Sequence, residues 1–149
     1  MMSSYLVFHL AGRLFAAELH GAIEILAWRR SRPIPLSYPY VEGLIDYRAT
    51  VYPVFNLAQR LGMSKPGPIG FTAEHTGPIG MGQSIILLEE KKISFGIVVE
   101  GVAKMANLEQ ATTPAKKPLG IDARYVQGIV FEDEQEIVIL DFERLFHAG

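Results

Sequence analysis

The chain has 149 residues, 49% of them hydrophobic, with a net charge of −2 and no cysteine. A chain of that length buries roughly 68–70% of its unfolded surface as one domain. The missing cysteines exclude disulfides, thiolate chemistry and cysteine metal sites, and the charge gives no general attraction to nucleic acid. No uninterrupted apolar run approaches the roughly 18 residues of a membrane span, so no direct membrane insertion is expected. The start "MMSSYLVFHLAGR" lacks a basic leader and a cleavage-like site, and a cytoplasmic location is expected.

In chain order, a strand-like opening is followed by "AIEIL", Ala22 to Leu26, which reads as a short helix-like segment with Ile23 toward the core. "WRRSR", Trp28 to Arg32, is the one local excess of positive charge. It has no supporting basic patches, so it reads as a solvated connection or as a contact to an acidic protein partner. In "EGLIDYRATVYPVFNLAQRLG", Leu44, Ile45 and Tyr47, then Val51, Val54 and Phe55, flank a polar segment as hairpin strands do. The turn is placed at Arg48-Ala49-Thr50. Pro53 has no donor for a ladder bond, which predicts an edge strand or a bulge there. Asn56 then caps a short helical run that Gly62 closes.

Residues 64 to 83, "SKPGPIGFTAEHTGPIGMGQ", are rich in Gly and Pro and read as a linker or long loop. Beyond it the pattern returns. Tyr40, Val41 and Gly43 fall on Tyr125, Val126 and Gly128 at a shift of 85 positions, without a gap through Leu61. Val54-Phe55-Asn56-Leu57 thereby falls on Ile139-Leu140-Asp141-Phe142, a strand leading to an Asn/Asp cap in each half. At a shift of 80, "YLVFHLAGRLFAAELHG" lies on "IILLEEKKISFGIVVEG", with Phe15 on Phe95 and Gly21 on Gly101. The chain is a tandem pair of similar all-β units. Short strands hide their edges by curling into barrels, so two small barrels side by side are expected. The approximate subdomains are residues 1–63 and 84–149 of a single 1–149 domain, with exchange of strands between them left open.

Catalytic constellations are missing. "GPIGMGQ" has no following Gly-Lys-Ser/Thr and no strand-to-helix frame for a phosphate. His9, His20, His75 and His147 form no pair at ligand spacing, which predicts no metal. "EDEQE" from Glu132 lacks the glycine and ligand spacing of a calcium loop and reads as a solvated hairpin tip. No Ser/His/Asp grouping sits in a nucleophile-elbow context. Neither an enzyme nor a cofactor is expected.

The order of features, from "YLVFHLAGRLFAAEL" through "FGIVVEGV" to "YVQGIVFEDEQEIVILDFERLF", resembles the CheW-like domain family. Its most specific part is the framework of Gly43, Arg48, Pro53 and Leu57. The resemblance implies an all-β fold of two SH3-like five-stranded barrels with short helices. It implies an adaptor that joins methyl-accepting chemoreceptor tips to the regulatory domain of a CheA-type histidine kinase, or a CheW-like scaffold of another receptor-kinase pathway such as type IV pilus motility. It also implies protein-binding roles for Arg48, Glu24 and Ile25, with Ala22 beside them as an exposed candidate, and Arg29 and Arg30 as further ones. Two roles are open for Arg48, bracing its turn by bonding backbone carbonyls and facing a partner, and the two are compatible.

Four positions depart from the family, and at the first of them Asp46 stands where an asparagine is usual. Ala49 stands where a glycine is usual, so the turn is expected to be of a kind that alanine accepts. Glu100 replaces an aspartate, and Ala58 stands where an arginine is common. The Gly/Pro-rich segment offers few buried contacts, and deleting half of it is expected to leave the unfolding midpoint within a few degrees. A large loss in a thermal melt would mean that it packs as part of the core.

Overall fold

The computed structural model describes residues 2–63, 83–109 and 120–146. Residues 64–82 of the expected 64–83 linker, His75 among them, and His147 lie outside them. The strands are β1 (Met2–Leu10), β2 (Arg13–Glu18), β3 (Ala22–Ala27), β4 (Val41–Tyr47), β5 (Thr50–Asn56), β6 (Ser84–Glu90), β7 (Ile93–Val99), β8 (Gly101–Glu109), β9 (Val126–Glu132) and β10 (Gln135–Leu140). Two short helices, α1 (Leu57–Arg60) and α2 (Phe142–Phe146), each follow a hairpin.

The strands form two five-stranded sheets, β8-β1-β2-β10-β9 and β3-β6-β7-β5-β4, the SH3-like barrels expected from the family resemblance. Although β3 follows β1 and β2 in the chain, it pairs with β6, while β8 leaves β6 and β7 to pair with β1. Each sheet therefore takes two strands from one sequence repeat and three from the other.

Burial explains the near-continuous apolar runs. Along β1, Tyr5 and Val7 point into one barrel, whereas Leu6, Phe8 and Leu10 belong to the cluster between the sheets. On β6 the split is Ile85 and Leu87 inward, Ile86 and Leu88 to the junction. A strand buried on both faces has no polar period to show. The junction also takes Leu57, Leu61, Phe142 and Leu145 from the helices. Arg60 lies 5.0 Å from the Tyr40 ring and 4.8 Å from that of Tyr125, and its Nε donates to the Leu145 carbonyl at 2.8 Å.

The repeat is matched element by element. Asn56 caps α1 by accepting from the Gln59 N–H at 3.0 Å, and Asp141 accepts from the Arg144 N–H at 3.1 Å. A bulge separates Val41 from Gly43, and another lies opposite Ile139/Leu140, between Val126 and Gly128. Four two-residue turns close the hairpins, all in the left-handed region: Ala11/Gly12, Arg48/Ala49, Lys91/Lys92 and Asp133/Glu134. The twist of such turns matches that of the strands, which is why side chains other than glycine are forced into them.

Several expectations require correction. Residues 22–26 are strand, because Ala22 and then Glu24-Ile25-Leu26 are drawn into the β6 ladder. Ile23 is the bulged residue and is 42% exposed, and Leu26 is the one that reaches the core. Pro53 is on neither an edge strand nor a bulge, since β5 lies between β7 and β4. Leu44 turns its N–H and carbonyl to Arg32, so its partner Pro53 turns its nitrogen toward β7, ahead of the first rung at Val54 and Gly96. No ladder bond is lost there. Ala49 does not avoid positive φ but holds +63°, after Arg48 at +49°.

Gly43 is required by close approach. A Cβ there would stand 2.2 Å from the Arg32 carbonyl oxygen, on a φ of +150°. Gly43→Ala is expected to cost at least about 3 kcal/mol. Ala49→Gly is expected to stabilise by about 0.5–1 kcal/mol, because the left-handed strain goes while some chain entropy is lost. Thermal melts check both, and a destabilised Ala49→Gly would contradict the strain assigned to this turn.

Candidate protein-binding surface

Ala22, Glu24 and Ile25 share the edge strand β3. The 3-10 turn Leu19–Gly21 aims the chain into it, and a side chain at Gly21 would meet the Glu89 carbonyl at 2.9 Å. Ala22 is half-buried against the junction, Glu24 is exposed, and Ile25 is 39% exposed. Ile23 and Ile25 leave apolar surface beside a strand hydrogen-bonded on one side, the arrangement that accepts another protein.

Arg48 lies elsewhere, at the tip of the β4–β5 hairpin, with β4 at the opposite end of the sheet order from β3. Its guanidinium lies 5.3 Å from the Tyr47 ring centre, and among the described residues it donates no hydrogen bond. The bracing role is thus unsupported, and the side chain is presented to solvent. The connection after β3 returns along β4 through the Arg32–Leu44 bridge. It brings Arg29 to 5.8 Å from the same ring, with Nη1 donating to the Asp46 carbonyl at 3.3 Å. Arg32 pairs with the Asp46 carboxylate at 3.2 Å. Three residues of "WRRSR" are therefore anchored: Trp28 packs on the barrel core, and two arginines bind the hairpin.

Tyr47 was not legible as a platform, because a lone aromatic in a strand reads as core. Met105, 64% exposed, and Phe131, 71% exposed, were also missed. The repeat held the signal for Met105, since the shift of 80 places it on Ile25. The "EDEQE" tip is only partly solvated: Lys104 reaches Glu132, and Arg13 holds Glu136 at 3.2 Å. Glu100, the departure from aspartate, accepts the Ala11 N–H and fixes the first hairpin turn.

A cleft of about 210 Å³ opens beside the junction, lined by Glu18, His20, Glu89, Glu90, Asp141 and Glu143 among others. Among the described residues no cluster could hold a metal ion. Burial, then the Glu18 and Glu143 carboxylates, pushes the Glu90 carboxyl above its ordinary 4.5, against a smaller opposing effect of His20. A carboxyl raised in the folded state binds its proton more tightly there than in the unfolded chain. Its stabilising effect is complete below 4.5 and is lost as pH rises through the folded value. Glu90→Gln is expected to raise the melting temperature at pH 7, with the gain shrinking as pH falls and Glu90 itself takes up a proton. An unchanged pH profile would contradict this.

The two-barrel geometry has counterparts among known proteins. A model of the CheW-like domain matches residues 4–149. The chemotaxis protein CheW of Treponema pallidum is 29% identical over 144 residues, covering 95% of this chain and 80% of that one. The probable chemotaxis protein CheW of Rhizobium etli is 25% identical over 143 residues, covering 95% and 85%. The crystal structure of the scaffolding protein TtCheW from Thermoanaerobacter tengcongensis superposes with a TM-score of 0.80 at 25% identity, covering all of this chain and 90% of that one. With the family model matched over nearly its whole length, this chain belongs to the CheW-like domain family.

Proposed function

We propose that this protein is a chemotaxis adaptor that couples chemoreceptor tips to the regulatory domain of a CheA-type histidine kinase in the cytoplasm, acting by binding and without chemistry of its own. The observation that carries this reading is the CheW-like match over residues 4–149 on a two-barrel fold, together with relatives that bear the names of chemotaxis proteins. No helix among the described residues is long and apolar enough to cross a membrane.

Interface energy concentrates in a few buried apolar anchors, while rim charges tune selectivity and on-rate. Ile25, with Ile23 beside it, supplies apolar surface on an open edge, and Ala22 sets how closely a partner approaches the junction. Glu24 and Arg48 are exposed charges and fit the rim role.

Among the described residues Arg48 makes no hydrogen bond, so Arg48→Ala is expected to melt within about 2 °C of the wild type. Against the cognate kinase domain alone, Arg48→Ala and Glu24→Lys are expected to bind within about threefold of wild type. With a receptor-tip fragment present, each is expected to lose about tenfold. Calorimetric titration checks this. Unchanged affinity in both settings removes these residues from the interface, and no binding by the wild type overturns the adaptor reading.

A further inference from the structure

At the end of the junction that α1 and α2 close, aromatic rings alternate with guanidiniums. Tyr38 stacks on Tyr40, with ring centres 5.4 Å apart. Arg60 lies 5.0 Å from the Tyr40 ring and 4.8 Å from that of Tyr125, and Arg124 lies 5.4 Å from Tyr125. The charge of Arg124 is answered, since Asp122 accepts from its Nε and Nη2 at 3.1 and 2.9 Å. That of Arg60 is not. The residue is half-buried and its Nε donates to the Leu145 carbonyl at 2.8 Å, but among the described residues its Nη groups make no hydrogen bond and no carboxylate lies within salt-bridge distance. A cation drawn out of water is ordinarily paired, and a planar fork already held at Nε gives up little freedom on taking a carboxylate.

The loop that leads to Tyr38 carries the second signal. Leu36 is fully exposed and holds a φ of +60°, where its Cβ crowds the following carbonyl. Among the described residues the other non-glycine side chains in that region belong to the four hairpin turns, where strand twist accounts for them, and Leu36 belongs to none. Pro33, Pro35 and Pro39 stiffen the loop. Ser37 Oγ donates to the Ile34 carbonyl at 2.7 Å, and the Val41 N–H donates to the Tyr38 carbonyl at 2.9 Å. Strain of this kind persists only where the surroundings hold it, and it gathers where a partner is gripped. An apolar side chain is thereby kept in water two residues from Tyr38, itself 70% exposed. From Arg29 through Tyr40 the segment has three arginines and no carboxylate, so the surface that complements it is acidic.

We propose that this end of the molecule binds an acidic segment of a partner protein, one carboxylate on the Nη groups of Arg60 and a neighbouring apolar side chain against Leu36 and Tyr38. A single exposed leucine on a chain of net charge −2 is too little for a lipid surface, which asks for more apolar area or more cations. The site goes beyond the adaptor reading, whose residues lie on β3 and at the Arg48 turn, and it stands or falls separately from it.

The probe is a capped Glu-Glu-Leu-Glu-Glu peptide, titrated into the isotope-labelled full chain while NMR follows the backbone amides and the arginine Nε–H groups. Saturable shifts are expected at Leu36, Tyr38, Arg60 and Tyr125, with a Kd of about 1 mM at roughly 20 mM salt and binding at least about tenfold weaker at roughly 500 mM. The peptide with Gln for every Glu is expected not to saturate. Arg60→Gln is expected to lose about tenfold and Arg60→Lys less, because the charge stays while the fork goes. Leu36→Asp, at a side chain that packs on nothing, covers the case in which an Arg60 variant fails to fold, and it is expected to lose about tenfold. A wild type without saturable shifts at low salt overturns the proposal. So do equal binding of the Gln peptide, shifts confined to Arg29 and Arg30, or affinity unchanged in folded Arg60→Gln and Leu36→Asp. Binding of phosphatidylglycerol vesicles through Leu36 and Arg60, with no response to the peptide, also overturns it and makes the surface a lipid site.

Discussion

The apolar junction between the two sheets is the contact on which the rest of the structure depends. Strands β1, β2, β6, β7 and β10 send alternate side chains into it, Phe8 and Phe15 from one sheet meeting the cluster that Phe95 and Ile97 supply from the other. Removing one such phenylalanine typically costs about 3–5 kcal/mol, a large part of the 5–15 kcal/mol that holds a domain together. The ring of Phe146 closes it at one end, 4.5 Å from Phe55 and 5.1 Å from Phe95. Because strands from both repeats cross this junction, neither sheet can be completed by one half of the sequence.

That crossing places the surfaces. β3 passes from the first repeat into the second sheet and becomes its edge, which leaves Glu24 and Ile25 exposed while Ala22 rests on the junction. The chain then returns along β4, carrying Arg29 and Arg32 to the hairpin that holds Arg48. Gly43 is what permits the return, since a side chain there would collide with the Arg32 carbonyl. A binding surface formed by rigid strands and short turns loses little entropy when a partner arrives, which suits a scaffold.

Where the information was local, the sequence was readable. The β4–β5 hairpin, the Asn56 cap and the Gly62 stop depend on neighbours within a few residues, and each appears as the pattern requires. The duplication was readable because the same local solution occurs twice. Residues 22–26 were misjudged because Ala-Ile-Glu-Ile-Leu fits either period, and only pairing with β6, far along the chain, settles it as strand. Ala49 was misjudged because strand twist overrides the preference of alanine. The framework arginine was found by resemblance. Its setting, a shared ring with Arg29, depends on a connection whose path no periodicity reveals.

Strand exchange through a shared core makes the two barrels one cooperative unit, and differential scanning calorimetry of the full chain tests this most directly. One transition is expected, with calorimetric and van't Hoff enthalpies in a ratio near one. Two resolved transitions, or a ratio well above one, would mean that the barrels melt independently and that the junction does not bind them together.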